Sequence, residues 1–509
     1  MYSPDNGGGK LKYAKIKTAC INGFDVREII VELDINSRST IQTFKIVGMA
    51  ATTVLESEKR AMSCIRNCGF TVPNGSITAN LSPSSLRKEG THFDLPVAVA
   101  LLQASSQIKS ADGDFYFFGE LGLNGEIRPV NGIALFLISL KQSNPQAKFI
   151  IPKENENESY FIDPNDVYVI SSLNDICRIF SEERESFLPH VGSCAGKTFD
   201  MDFSEIKGQL FIRRAVEIAC SGFHNILLKG SPGSGKTMIA RRIPTILPPM
   251  TTEEIIESTK IYSVCGYINK IINERPFRSP HHTASSASVI GGGNIPRPGE
   301  ISLAHNGVLF LDEFPEFRND VIQSLRQPME DGMVTVTRAR SVAEFPARFM
   351  LVAAQNPCPC GFFGDKEKEC TCSINQISSY NKKISGPITD RIDIKIDVPR
   401  VEISDLLGKD DGESSEKIKE RVMKTSSIQI KRQGKFNGQL TGREVKEYAI
   451  LSDKAEEFLK TAAVKLKLTA RSVTKVIRVA RTVADTYESE QIQTVHIGEA
   501  LNYRNVEIN

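Results

Sequence analysis

Residues 230–237 read Gly230-Ser231-Pro232-Gly233-Ser234-Gly235-Lys236-Thr237, and the apolar run Val308-Leu309-Phe310-Leu311 ends in Asp312-Glu313, 75 residues beyond Thr237. Glycines at these spacings let the backbone wrap closely, so that its N–H groups converge on phosphate oxygens at a helix N-terminus. In such a loop Lys236 reaches the β- and γ-phosphates and the Thr237 hydroxyl ligates Mg²⁺. The second segment is a buried strand that delivers two carboxylates at its C-terminal end, where open α/β sheets hold their ligands. Asp312 is expected on the metal side and Glu313 as the base that orients and deprotonates the attacking water. Together the two segments predict ATP hydrolysis.

Working outward, the helical pattern Gln209–Cys220, the strand Asn225–Lys229, the loop and the following helix make the βαβ opening of an ATPase core. The strands Val308–Leu311 and Phe349–Ala354 continue that core, which is expected over 200–400. Before it, residues 11–180 alternate short β-rich runs with helical patterns such as Thr52–Cys68 and Leu95–Gln103, an α/β domain. Residues 1–10 read as a flexible tail, and 181–199, polar with Pro189 and two glycines, as a linker. After Pro399 and an acidic gap at Gly408–Ser415 the pattern turns helical; Glu444–Lys465 and Arg471–Tyr487 read as long amphipathic helices of a lid domain over 401–509.

Charge is balanced, with 63 basic against 61 acidic residues and a net +2, so any nucleic-acid surface must be a local patch. The longest apolar stretches, Leu95–Leu102 and Ile133–Leu140, are too short to span a bilayer, and the N-terminus lacks the features of a secretory leader. Seven of the 11 cysteines are scattered, as thiols of a reducing, cytoplasmic compartment would be. The other four form Cys358-Pro-Cys360, nine residues, then Cys370-Thr-Cys372. Two such pairs can offer four thiolates to a structural Zn²⁺ within an insert over 358–372, although one intervening residue per pair is fewer than usual.

Three more positions complete a catalytic set. Asn356 follows the strand Phe349–Ala354, where it could hold the water as a sensor; locally it equally fits an asparagine opening a turn before Pro357. Arg391 and Arg471 each stand where a guanidinium could stabilise charge on a γ-phosphate. Without context each also reads as a surface ion-pair partner. Asp331–Phe349 alternates apolar and polar residues on both sides of Arg338–Ser341 and predicts a β-hairpin whose crown carries Arg338 and Arg340. Those arginines could grip nucleic-acid phosphates without reading sequence, or pair with nearby carboxylates in solvent. Ser286–Pro298, rich in glycine and small residues, reads as a mobile loop. Lys417–Lys446 carries nine basic residues and fits either a nucleic-acid surface or a solvated face. The His281-His282 doublet is read as structural.

The phosphate loop, Arg275-Pro-Phe-Arg-Ser-Pro-His-His-Thr, the run from Gly291-Gly-Gly-Asn to Asp312-Glu313, Ala354-Gln-Asn-Pro-Cys-Pro-Cys-Gly and Ala470-Arg-Ser-Val resemble the magnesium-chelatase-like AAA+ ATPases, and among them the ComM (YifB) group. The resemblance runs from about residue 12 to 506. It implies a homohexameric ring in which Arg391 is a finger donated to the neighbour and Arg471 a second sensor. It further implies a DNA translocase with branch-migration helicase activity, acting in recombination during natural transformation. A chelatase motor subunit and a protein-remodelling chaperone are the alternatives. Leu81–Ala100 and Gly119–Gly132 resemble the Lon-protease-type, ribosomal S5-like domain. There His92 stands where that fold has its serine, and apolar residues around Phe136 stand near its lysine, so the peptidase dyad is missing.

Overall fold

The computed structural model describes residues 13–39, 41–109, 113–180, 184–190, 199–293, 296–338, 341–365, 367–384, 388–401 and 412–504. They form two compact units. The first comprises the described residues before Ala195 together with Ile255–Asn273; the second comprises those of Gly196–Glu254 and Glu274–Asn509.

The first unit is built on a mixed seven-stranded sheet. Its order is Thr43–Val47, Ser76–Ser82, Asp25–Asn36, Tyr13–Asn22, Phe115–Phe117, Lys148–Pro152 and Val167–Ile170. Two separate apolar clusters form its core. Leu95, Val97, Val99 and Leu101 of the helix Asp94–Ala104 belong to one, and Ile133, Phe136 and Leu140 of the helix Ile133–Ser143 to the other. The residues Leu95–Leu102, apolar on every side, are all buried, as an all-round apolar helix requires. His92 and Phe136 come together, with ring centroids 5.1 Å apart, and His92 Nε2 lies 2.9 Å from the Ala19 carbonyl. Burial takes the His92 imidazole down to about 4, against the bond to Ala19, so the ring is a neutral packing element at pH 7.

Residues 255–273 were expected inside the ATPase core, yet they pack with the first unit. Ile256 rests on the cluster of Phe136, and Ser263 donates to the buried Glu158 carboxyl. The Ser263 carbonyl accepts from Gly132 N at 3.0 Å. The segment's polar groups thus find partners that local sequence could not reveal.

The second unit holds a five-stranded, fully parallel sheet in the order Phe277–Arg278, Val308–Leu311, Met350–Gln355, Ile226–Lys229, Ile394–Asp397. The phosphate-loop strand is therefore the fourth of five, lying between the sensor strand and the last strand. The helical C-terminal region shares its core: Val476, Val479 and Val483 belong to one cluster with Ile226, Leu228 and Val352.

Two expectations give way here. The helix expected over Glu444–Lys465 is two, Gly442–Tyr448 and Asp453–Lys465. Ser452 caps the second by accepting from Ala455 N at 3.4 Å, and Leu451 bridges to Ile492. The described part of 286–298, read as a mobile loop, carries regular structure. Ser286–Ile290 is a helical turn capped by Ser285, and Gly291–Gly292 pairs antiparallel with Arg297–Pro298. The hairpin does form, Met333–Arg338 against Ser341–Pro346, with Arg338 opposite Ser341. Arg340, the 1–10 tail, most of the 181–199 linker and residues 408–411 of the acidic gap lie outside the described residues. No helix among the described residues is long and apolar enough to cross a membrane.

Candidate functional site

Strand Ile226–Lys229 runs into the loop 230–235, and the helix Lys236–Ile246 begins at once. Gly233 and Gly235 take φ of 81° and 89°, which a side chain would make costly. These two residues turn the loop so that the helix N-terminus faces what the loop encloses. Lys236 folds back over it, donating to the carbonyls of Gly230 at 2.7 Å and Ser231 at 2.9 Å, and to Asn356 Oδ1 at 3.3 Å. Burial pulls the Lys236 ammonium below its ordinary range, while Asp312 and Glu313 favour its charge.

The acidic strand, buried at all four residues, pairs parallel with Met350–Gln355 and sets Asp312 beside Thr237, whose Oγ1 donates to Asp312 Oδ2 at 2.7 Å. Two oxygens at this separation fit adjacent corners of an octahedral Mg²⁺ shell, where oxygens 2.0–2.1 Å from the metal stand about 2.9 Å apart. Glu313 occupies the left-handed region, with φ 50° and ψ 46°, a conformation that strains a residue carrying a Cβ. Its side chain is half exposed, and its Oε2 lies 3.3 Å from His282 Nδ1. Thus Gly230, Ser231, Pro232, Gly233, Ser234, Gly235, Lys236, Thr237, Asp312, Glu313 and Asn356 converge.

Arg391 and Arg471 do not join them. Both line a separate cavity of about 650 Å³, together with Glu330, Asp390, Lys475 and Arg478. None of the phosphate-loop residues, Asp312, Glu313 or Asn356 lines it. Arg391 is ion-paired with Glu330. Behind the two arginines lies a buried charge network. Lys475 Nζ donates to the Ile392 carbonyl at 3.2 Å and stands 3.9 Å from Asp393 Oδ1, and His224 Nδ1 is 3.5 Å from Asp393 Oδ2. Burial takes the Lys475 amine down to about 7. At Asp393 burial opposes ionisation, but the His224 hydrogen bond and Lys475 outweigh it and hold the carboxyl at about 2.

The four cysteines gather as their spacing suggests. Cys358 Sγ lies 3.3 Å from Cys360 Sγ and 3.6 Å from Cys370 Sγ, and the four sulfurs lie within 4.8 Å of one another. Tetrahedral Zn–S bonds of 2.3 Å place sulfurs about 3.8 Å apart, so the donor set fits zinc. The loop leans on the phosphate loop as well as on the sensor. A Cβ on Gly361 would fall 2.6 Å from Pro232, and Asp365 is held in its charged form first by the Ser231 hydroxyl.

Sequence reasoning did not place His282 beside Glu313. The signal lay in strand pairing: Phe277–Arg278 runs parallel to Val308–Leu309, so residues just past one strand end beside those just past the other. The Ser231–Asp365 and Pro232–Gly361 contacts were equally invisible.

A parallel sheet in this order, with a glycine-rich loop and a helix following its fourth strand and acidic residues ending the next but one, defines an α/β module of the AAA+ type joined to a C-terminal helical region. The chain belongs to the ComM/YifB-type magnesium-chelatase-like AAA+ ATPase family. Residues 202–406 match the family described as magnesium chelatase, subunit ChlI; 31–155 match subunit ChlI of Mg-chelatase, and 412–504 its C-terminal part. The chain is 38% identical to Competence protein ComM of Haemophilus influenzae over 488 residues, 94% of this chain and 95% of the relative. It is 38% identical to protein YifB of Escherichia coli over 498 residues, 97% of each. A more distant likeness, 24% over 232 residues and 46% of this chain, is to DNA replication licensing factor mcm6 of Dictyostelium discoideum, 22% of which it covers.

Proposed function

We propose that this protein is an ATP-hydrolysing motor that works as a homohexameric ring on DNA, in recombination linked to competence. One observation carries the reading: Lys236, Thr237, Asp312, Glu313 and Asn356 meet in one place, while Arg391 and Arg471 face a different cavity of the same chain. A chain that keeps its arginines away from its own phosphate loop completes its site by lending them to a neighbour. The name of the ComM relative supports the competence setting, and the licensing-factor likeness supports DNA as the track.

In this reading Lys236 and the loop N–H groups bind the ATP phosphates, and Thr237 and Asp312 would hold a Mg²⁺ that would offset charge on the phosphate oxygens. Asn356 holds the water, and Glu313 takes its proton as the water oxygen bonds to the γ-phosphorus and the bond to the β–γ bridging oxygen breaks. ADP and phosphate leave. The neighbour's Arg391 and Arg471 would neutralise charge that develops in between. Arg338 and Arg340 of the hairpin are the proposed phosphate grips, and Cys358, Cys360, Cys370 and Cys372 the proposed Zn²⁺ ligands. The first unit, read as Lon-like without its dyad, would serve binding or assembly.

The family descriptions favour a second reading, the motor subunit of a metal chelatase. ATPase rate measured at low salt with and without single-stranded DNA separates them. A rate raised by DNA supports the translocase; an unchanged rate counts against it.

A further inference from the structure

We infer that His282 is the positioning residue for Glu313, fixing the carboxylate that the proposed hydrolysis uses as its base. The inference rests on that ATPase reading and adds a residue the reading does not require. Glu313 departs from the end of its strand in a left-handed conformation, its backbone N–H bonded to Asp312 Oδ1 at 3.0 Å. Its side chain is half exposed, so the backbone alone leaves the carboxylate several rotamers. The imidazole of His282 meets it, with Nδ1 3.3 Å from Oε2.

His282 is itself held from several sides. It packs on His281 with ring centroids 4.2 Å apart and planes tilted by 33°, and meets Phe317 edge to face at 6.5 Å. His281 Nδ1 lies 2.8 Å from Thr283 Oγ1, and four residues beyond His282 the Ser286 hydroxyl bonds to Asp320 Oδ2 at 2.5 Å. Asp320 is in turn paired with Arg318 at 3.0 Å, in the segment that follows Glu313. The turn carrying His282 therefore meets Glu313 at one point and is hydrogen-bonded to the helix after Glu313 at another. A base must sit within a few tenths of an ångström of its productive place, and a neighbour that fixes it governs turnover more than binding. The His281-His282 doublet then has two parts, a packing ring and a ring that touches the base.

The test is steady-state ATP hydrolysis by the full chain as His282→Ala, His282→Asn and His281→Ala, with Glu313→Gln as reference. His282→Ala should lower kcat by about 10- to 100-fold with KM within about twofold of the parent, and His282→Asn, which keeps a side-chain N–H, should recover much of the loss. His281→Ala should stay within about threefold of the parent in kcat. A His282→Ala protein with parental kcat overturns the inference. So does a loss that His282→Asn fails to restore, or one in which KM rises as far as kcat falls. If the parent hydrolyses no ATP, or Glu313→Gln turns over like it, the ATPase reading itself falls, a result recognisable because it does not depend on His282.

Discussion

Lys236 and Asn356, 120 residues apart along the chain, meet with Lys236 Nζ 3.3 Å from Asn356 Oδ1. The contact joins the phosphate loop to the sensor strand, because their strands are neighbours in the sheet. Lys236→Ala should therefore remove the phosphate anchor and abolish nucleotide binding. An affinity loss of at least about 100-fold, read by titration calorimetry with ADP, is the expected result. Retained affinity would refute the phosphate-loop assignment.

Arg391→Ala and Arg471→Ala should both leave nucleotide affinity near parental and reduce turnover by about 10³-fold. They line one cavity, so the two should behave alike. Mixing either with Glu313→Gln protomers should restore part of the activity, since some interfaces would pair an intact base with intact arginines. Mixed rings without recovery would place the arginines in cis.

Protein purified without added metal should carry about one zinc per chain by elemental analysis, and Cys372→Ser should lose it. Because Gly361 and Asp365 touch Pro232 and Ser231, loss of the metal should also weaken ADP binding, by about tenfold. Zinc loss with unchanged ADP affinity would show that the loop does not brace the phosphate site.

The buried Lys475 predicts a pH dependence of stability. Its folded value of about 7 lies below that of an unfolded lysine, about 10.4, so across that window the unfolded chain binds the proton the folded chain has released. Stability from this group therefore rises as pH increases from 7 towards 10. Thermal melts at pH 7 and 9.5 should show that rise in the parent and a flatter response in Lys475→Met. Asp393→Asn should destabilise by about 3 kcal/mol, because it strands Lys475 and His224 beside a neutral group.

How far the site was legible varies residue by residue. Gly233, Lys236, Thr237, Asp312 and Glu313 could be named because phosphate, Mg²⁺ and water demand fixed residue types at short spacing. The hairpin was visible in its alternation, and the cysteine pairs in their clustering. The helix expected across Glu444–Lys465 was not visibly broken, because both halves carry the same periodicity and Ser452 caps only in context. The helical turn Ser286–Ile290 was hidden because its glycine-rich surroundings read as a loop, although Val289 is buried.

From composition and spacing alone came the nucleotide chemistry, the candidate zinc ligands and the order of the domains, since each depends on residues close together in the chain. Tertiary structure alone decided that Arg391 and Arg471 share a cavity away from Lys236, that His282 touches Glu313, and that residues 255–273 pack with the first unit. Such contacts arise from which strands lie side by side. That order is set by burial summed over the whole sheet, which no local pattern records.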